Sequence, residues 1–586
     1  MSLVSSLSVS NNIPSSKSFT SPYLGNPCLI LPSVKASKLP LQISTKTTSF
    51  PIACQRDITT HAAATADRIL VIPKESLGRH SFPPGFTFGA ASAAYQTEGA
   101  WNEGGRGPSV WDTFCHEHPE KIADSSNGDH AIDSYHRYKD DVKLLKDMNM
   151  DAYRFSISWS RILPTGSLKG GINHDGIKHY HKLIDDLHAN GIKPYVTLFH
   201  WDLPQGLQDH GGFANRQTVS DFKDFCNICF HEFGDKVKHW ITLNEPWHYS
   251  TNGHGRGTDA PGRCSPIFGC SAGNSLCEPY TVTHNLILAH GEAVRLYKEK
   301  YQANQRGQIG ITLDCFWYTP YNDMYQHKEA VNRLLDFNFG WYMDPLVYGD
   351  YPFTMKALVR ERLPTFTQEE SKMITNSFDF IGINYYTARF LNKALSDFNL
   401  ALDLGKKIRM TRRSEKRKFI LLGKETKGAF TGSFSKEVIE TSFNCAEQLV
   451  SNGHSNIGQW TNGSWLQVYP EGIKELMLYI KDRYRNPPIY ITENGYGDLI
   501  KTGMTKDEAI ADKARKMYHE LHLTKLKEAI EAGVDVKGYF AWSLTDSFEW
   551  GSGYTLRFGL AYVDYHTLER TPKDSAKWFS KILEKY

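Results

Sequence analysis

The sequence predicts an α/β protein, a single (β/α)8 TIM barrel with elaborated loops on its C-terminal face. Three observations carry this expectation. Short apolar runs alternate with helical patterns along the chain, as repeated βα units do. There are eight such runs: Thr87 to Ala90, Ala152 to Ile157, Tyr195 to Phe199, Trp240 to Leu243, Gln308 to Leu313, Phe378 to Ile383, Pro488 to Ile491 and Gly538 to Trp542. Polar residues with chemical potential (Glu98, Arg154, His200, Glu245, Tyr386, Glu493 and Glu549) fall at or after the ends of these runs. Barrel active sites are built from those ends and the loops that follow.

Taken in order, each run reads as a strand because it is short, apolar and rich in β-branched and aromatic residues. The segments between read as helices, as in Tyr138 to Met148, where Leu144, Leu145 and Met148 recur at helical spacing. The body is longer than the ~250 residues of a typical barrel, so its loops must be long. No internal repeat and no second domain boundary interrupts it.

The leader differs. Residues 1–56 contain no Asp or Glu, are rich in Ser, and carry Lys17, Lys35, Lys38, Lys46 and Arg56. That composition is expected of a transit peptide removed on import. Its scarcity of Arg favours the plastid (chloroplast). Residues 57–81 read as a linker and 82–586 as the catalytic domain. The net charge of +3 in 586 residues makes no electrostatic case for nucleic acid. No apolar run approaches the ~20 residues that span a bilayer. The basic stretch Lys406 to Lys427 reads as a solvated loop rather than a localisation or partner patch. Cys226 and Cys229 form a C-x-x-C inside an amphipathic helical pattern, where core packing is expected. No matched pair of ligand dyads suggests a metal, and no cofactor motif appears.

Two strand-like runs end in a lone glutamate, in Thr242-Leu243-Asn244-Glu245-Pro246 and in Ile491-Thr492-Glu493-Asn494-Gly495. A carboxylate at the end of a buried strand costs free energy unless something uses it. Two of them suit glycosidic cleavage, one as acid and base, the other as nucleophile.

These motifs resemble those of glycoside hydrolase family 1, the β-glucosidase family. The resemblance runs from about Phe82 to the C-terminus. It includes Tyr95-Gln96-Thr97-Glu98-Gly99, Tyr153-Arg154-Phe155-Ser156, Phe199-His200-Trp201-Asp202, Asn384-Tyr385-Tyr386, and Trp542-Ser543-Leu544 with Phe548-Glu549-Trp550. It implies a retaining β-glucosidase with Glu245 as acid/base and Glu493 as nucleophile. Arg154, Asn244 and Tyr386 would support them. Gln96, His200, Asn244, Trp542, Glu549 and Trp550 would bind glucose. Trp465, Trp247, Phe316 and Trp317 would line the aglycone side.

Phe316 stands where many plant members have His, so a more apolar mouth and a bulky terpenoid or steroid aglycone are expected. Ser547 stands where members commonly have Asn. Plant relatives often bridge cysteines placed like Cys264 and Cys270; here the pair is either bridged or open. The sequon Asn462-Gly463-Ser464 lies just before Trp465. The expected partner is a small-molecule β-glucoside of a plant specialised metabolite. A transglucosidase using the same glutamates, an inactive glycoside-binding protein and a homo-oligomer all stay open.

Overall fold

The computed structural model describes residues 77–391, 465–501 and 503–585, together with the backbone of a few short strand segments between them. The leader, the sequon and the side chains of the basic stretch lie outside the described residues.

Eight parallel strands close into a barrel in chain order. They are β1 (Thr87–Ala91), β2 (Ala152–Ser156), β3 (Lys193–Phe199), β4 (His239–Asn244), β5 (Gln308–Asp314), β6 (Phe380–Asn384), β7 (Ile489–Asn494) and β8 (Val536–Trp542). Every predicted run is a barrel strand, with ends shifted by at most a few residues. The strands are apolar on both faces because one side meets the barrel interior and the other meets a ring of helices.

That ring contains α1 (Ser134–Asp147), α2 (His174–Ala189), α3 (Gln217–Phe233), α4 (Glu278–Lys300), α5 (Gln368–Ile374), α6 (Glu471–Arg483), α7 (Lys513–Glu531) and α8 (Asp574–Ile582). In α3, Val219, Phe222, Cys226, Cys229, Phe230 and Phe233 form one buried stripe, the spacing of a helix that hides a single face. The C-x-x-C thus packs in the core, and burial pushes both thiols well above their usual range. The α5 N-terminus is held by a capping box, in which Thr367 and Glu370 satisfy each other's backbone N–H groups.

Inside the barrel, the N-terminal end is plugged by rings. Tyr195 stacks on His239 at 4.0 Å, Tyr195 meets Phe540 at 4.9 Å, and Phe380 meets Tyr490 at 5.1 Å. Gly310 on β5 keeps this plug tight: a Cβ there would lie 2.3 Å from the Phe380 carbonyl oxygen. The interior at this end is a packed core, as in barrels generally. Among the described residues, no helix is long and apolar enough to cross a membrane.

Candidate active site

At the opposite end of the barrel the register brings the chemistry together. Asp314 on β5 is level with Asn384 on β6, and Asn384 is level with Glu493 on β7. Ala91 on β1 is level with both Arg154 on β2 and Trp542 on β8. Arg154 lies in the middle of β2 rather than at its end, which corrects the expectation that all these residues follow their strands. Its long side chain makes up the distance.

A continuous hydrogen-bonded network results. Arg154, fully buried, donates from one guanidinium nitrogen to Glu493 Oε1 and from the other to Asn244 Oδ1, each at 2.5 Å. Tyr386 donates its hydroxyl to Glu493 Oε2 at 2.7 Å. Asn384 Nδ2 donates to Asn244 Oδ1 at 3.1 Å and to Glu245 Oε1 at 2.7 Å. Thr492 donates its hydroxyl to Asn384 Oδ1 at 2.7 Å and so fixes which way that side-chain amide points. Both glutamates are buried, Glu245 with 7% and Glu493 with 4% of its surface exposed.

Glu245 follows β4 with φ of 43°, in the left-handed region, and Pro246 starts the next short helix. Trp201 and Trp550 also have positive φ, at 73° and 49°. Strained non-glycine backbone of this kind persists where the surroundings over-determine it, commonly at functional sites.

Burial pushes the Glu493 carboxyl up to about 7. Arg154 opposes that shift, and the charge of Glu245 adds to it. Glu549 is pushed up to about 8, chiefly by burial and then by the charge of Glu493. Three carboxyls thus crowd one site, and all three raise the Tyr386 hydroxyl beyond what its burial does.

The expected sugar-binding residues gather beside this network. Gln96 Nε2 donates to the Phe548 carbonyl at 2.7 Å and reaches Glu549 Oε2 at 3.3 Å. The Asn244 amide donates to His200 Nε2 at 3.0 Å, which leaves the ring proton on Nδ1. Burial holds His200 neutral, well below its usual range. His200 Nδ1 and Gln96 Oε1 are buried without a partner in the protein. Trp542 and Trp550 lie nearly parallel to the His200 ring, at 6.1 and 5.8 Å. Ser547 is buried in the loop carrying Glu549. That loop is anchored by Asp546, which takes Arg557 at 2.6 Å and Lys573 at 2.7 Å.

On the outer side, Phe316 and Trp465 stack at 5.5 Å, and Trp465 reaches Tyr386 at 5.9 Å. Trp465 is 42% exposed. Trp247 is buried, with its indole N–H on the Phe337 carbonyl at 3.1 Å. Trp317 is placed differently from the expectation. It faces Tyr479 on α6 at 6.0 Å and lies beside Glu475, so it packs against α6 rather than beside Trp465. Adjacent residues of an extended segment point to opposite sides, which separates Trp317 from Phe316. Glu98 is also outside the site: its carboxylate takes Arg161 at 2.9 Å and Tyr180 at 2.6 Å. Cys264 and Cys270 are joined by a disulfide.

Three residues of the cluster were not singled out from the sequence. Asn384 carried the same signal as the others, a polar residue ending a strand. His248 and Asp314 carried none that joins them. His248 Nδ1 lies 3.1 Å from Asp314 Oδ2 and 3.3 Å from Glu245 Oε2. These three side chains bring donor atoms within 4.8 Å of one another, a spacing that would suit a cation. The imidazolium itself supplies a positive charge there.

Comparison with known proteins agrees with this geometry. The family model described as glycosyl hydrolase family 1 matches residues 78–586. A furostanol glycoside 26-O-β-glucosidase from Hellenia speciosa is 55% identical over 89% of this chain and 86% of its own. Furcatin hydrolase from Viburnum furcatum is 48% identical over 86% of this chain and 87% of its own. A mutant of the rice β-glucosidase Os3BGlu6, solved in a covalent complex with Glc from GA4GE, superposes with a TM-score of 0.77 at 45% identity. It covers 87% of this chain and 100% of its own.

Proposed function

The chain belongs to glycosyl hydrolase family 1 and is a β-glucosidase acting on small-molecule β-glucosides, and from that premise we propose that it works by double displacement with retention. Glu493 attacks the anomeric carbon while Glu245 gives its proton to the departing glycosidic oxygen. Water then releases the glucosyl enzyme with Glu245 acting as base. Arg154 and Tyr386 favour the carboxylate form of Glu493, the form that attacks. Asn244, held by Arg154 and Asn384, is placed to bond the sugar 2-hydroxyl as charge develops. Glu549, Gln96 and His200 offer acceptors and a donor to the remaining hydroxyls, over the face of Trp542.

The observation that carries this reading is the single network joining the two glutamates across four strands, in which Arg154 and Tyr386 oppose the rise that burial and the Glu245 charge impose on Glu493. The rice relative's covalent Glc supports it by kinship. Proton NMR of the first-formed sugar tests it: β-glucose is expected, and α-glucose as first product would overturn it.

The aglycone we infer is large and apolar, a terpenoid or steroid. Stacked Phe316 and exposed Trp465 present a flat aromatic face, and the Hellenia relative's name specifies a furostanol glycoside. Mass spectrometry of products from a panel of plant glucosides decides between these and small aryl glucosides. The acid-free leader supports plastid import of a protein whose catalytic domain starts near residue 82. A full-length fluorescent fusion checks this, with vacuolar or nuclear signal as the contrary result.

A further inference from the structure

Glu245 has two carboxyl oxygens with different neighbours. Oε1 accepts from the Asn384 amide at 2.7 Å, so Oε2 is the atom left to carry and deliver a proton. The group beside Oε2 is His248, one turn along the helix that Pro246 begins. Its Nδ1 is nearly equidistant from two acceptors, 3.1 Å from Asp314 Oδ2 and 3.3 Å from Glu245 Oε2. Asp314 is 94% buried by its side chain, and its other oxygen has no partner. A buried carboxylate in that position is costly unless it holds a cation.

We propose that His248, held as a cation by Asp314, is a positioning residue that turns its Nδ1–H from Asp314 to Glu245 as Glu245 gives up its proton. This rests on the reading of Glu245 as the acid/base. Before the reaction Glu245 Oε2 carries the proton and His248 donates to Asp314. As the C1–O bond breaks, its electron pair passes to the glycosidic oxygen, which takes the proton from Oε2. Glu493 bonds to C1. Glu245 is now a carboxylate, and the His248 N–H is within reach of it. A donor that engages only the developing charge stabilises the transition state more than the ground state.

The charges around His248 fit this role. Burial lowers its proton affinity, but Asp314 and then Glu245 raise it well above the usual range. From the loop after the next helix, Asp259 interacts with it and is balanced by Arg256. Trp201 and Trp247 close the sides, at 6.0 and 5.2 Å.

The test compares leaving groups. With poor leaving groups proton transfer is far advanced in the transition state, whereas with 2,4-dinitrophenol it is hardly needed. His248→Ala should lower kcat/KM on an alkyl glucoside roughly 10- to 100-fold, the range of one lost charge-assisted donor. On 2,4-dinitrophenyl glucoside the loss should stay within about 3-fold. The alkaline limb of kcat/KM should move to higher pH, because the cation favouring the Glu245 carboxylate is gone. His248→Gln, which keeps an N–H donor without charge, should recover part of the alkyl-glucoside loss and leave the limb shifted. Equal losses on both substrates, or an unmoved limb in both variants, would overturn the proposal. Glu245→Gln in parallel isolates the premise: if it shows no leaving-group dependence, the acid/base reading itself fails.

Discussion

The two ends of the barrel interior are chemically opposite. At the N-terminal end, Tyr195, His239, Phe380, Tyr490 and Phe540 fill the space with rings. At the C-terminal end, Arg154, Asn244, Glu245, Asn384 and Glu493 fill it with polar groups in contact. The same strands build both. At the ring-filled end a half-buried histidine is simply neutral, with His239 lowered to about 4 by desolvation. At the polar end burial raises carboxyls, and fixed charges decide which form survives. One end holds the barrel closed; the other spends that stability on arranged charge, as functional sites do.

Mutations should separate the two. The largest effect expected is from Glu493→Ala, which should take turnover below detection while leaving the thermal midpoint unchanged or raised. Azide should rescue it with formation of an α-glucosyl azide, read by NMR. Next, Glu245→Gln should cost about 10²–10⁴-fold in kcat on poor leaving groups, the usual range for a lost general acid.

At the other end, Phe540→Ala should destabilise by about 3–5 kcal/mol in denaturant titration, with KM of the remaining folded enzyme unchanged. A comparable change in KM would mean that the two ends are coupled. A subtler contrast is in pH. Glu493 and Glu549 bind protons more tightly folded, near 7 and 8, than the ordinary 4.5. At these two sites the folded state therefore holds more protons between about pH 4.5 and 8, and their contribution to stability falls as pH rises through that window. Glu549→Gln should flatten this decline, measured as thermal midpoint against pH, and Phe540→Ala should not. The smallest effect expected is from Trp465→Ala, about tenfold in kcat/KM on a bulky apolar glucoside, since 1.4 kcal/mol is about tenfold. A small aryl glucoside should change much less. Equal loss on both would make Trp465 a packing residue.

All eight barrel strands were legible in the sequence, because a strand buried on both faces must be apolar throughout and must stop where polar residues begin. The same rule exposed Glu245 and Glu493, each closing such a run. The rule could not tell a working carboxylate from a paired one. Glu98 stands beside the motif residues in sequence, yet Arg161 and Tyr180, more than 60 residues away, engage it elsewhere.

Side-chain direction was likewise undecided locally. Phe316 and Trp317 are neighbours of similar chemistry, and only the pairing of their segment with Ala388–Leu391 sends one toward Trp465 and the other toward Tyr479. What the sequence by itself determined, then, is the succession of strands and the two carboxyls, since both follow from short-range patterns of burial. What only the tertiary structure decided is which charges meet. Asp314 and His248 are 66 positions apart, and their encounter beside Glu245 depends on barrel closure bringing β4 beside β5, a long-range contact that no local pattern encodes.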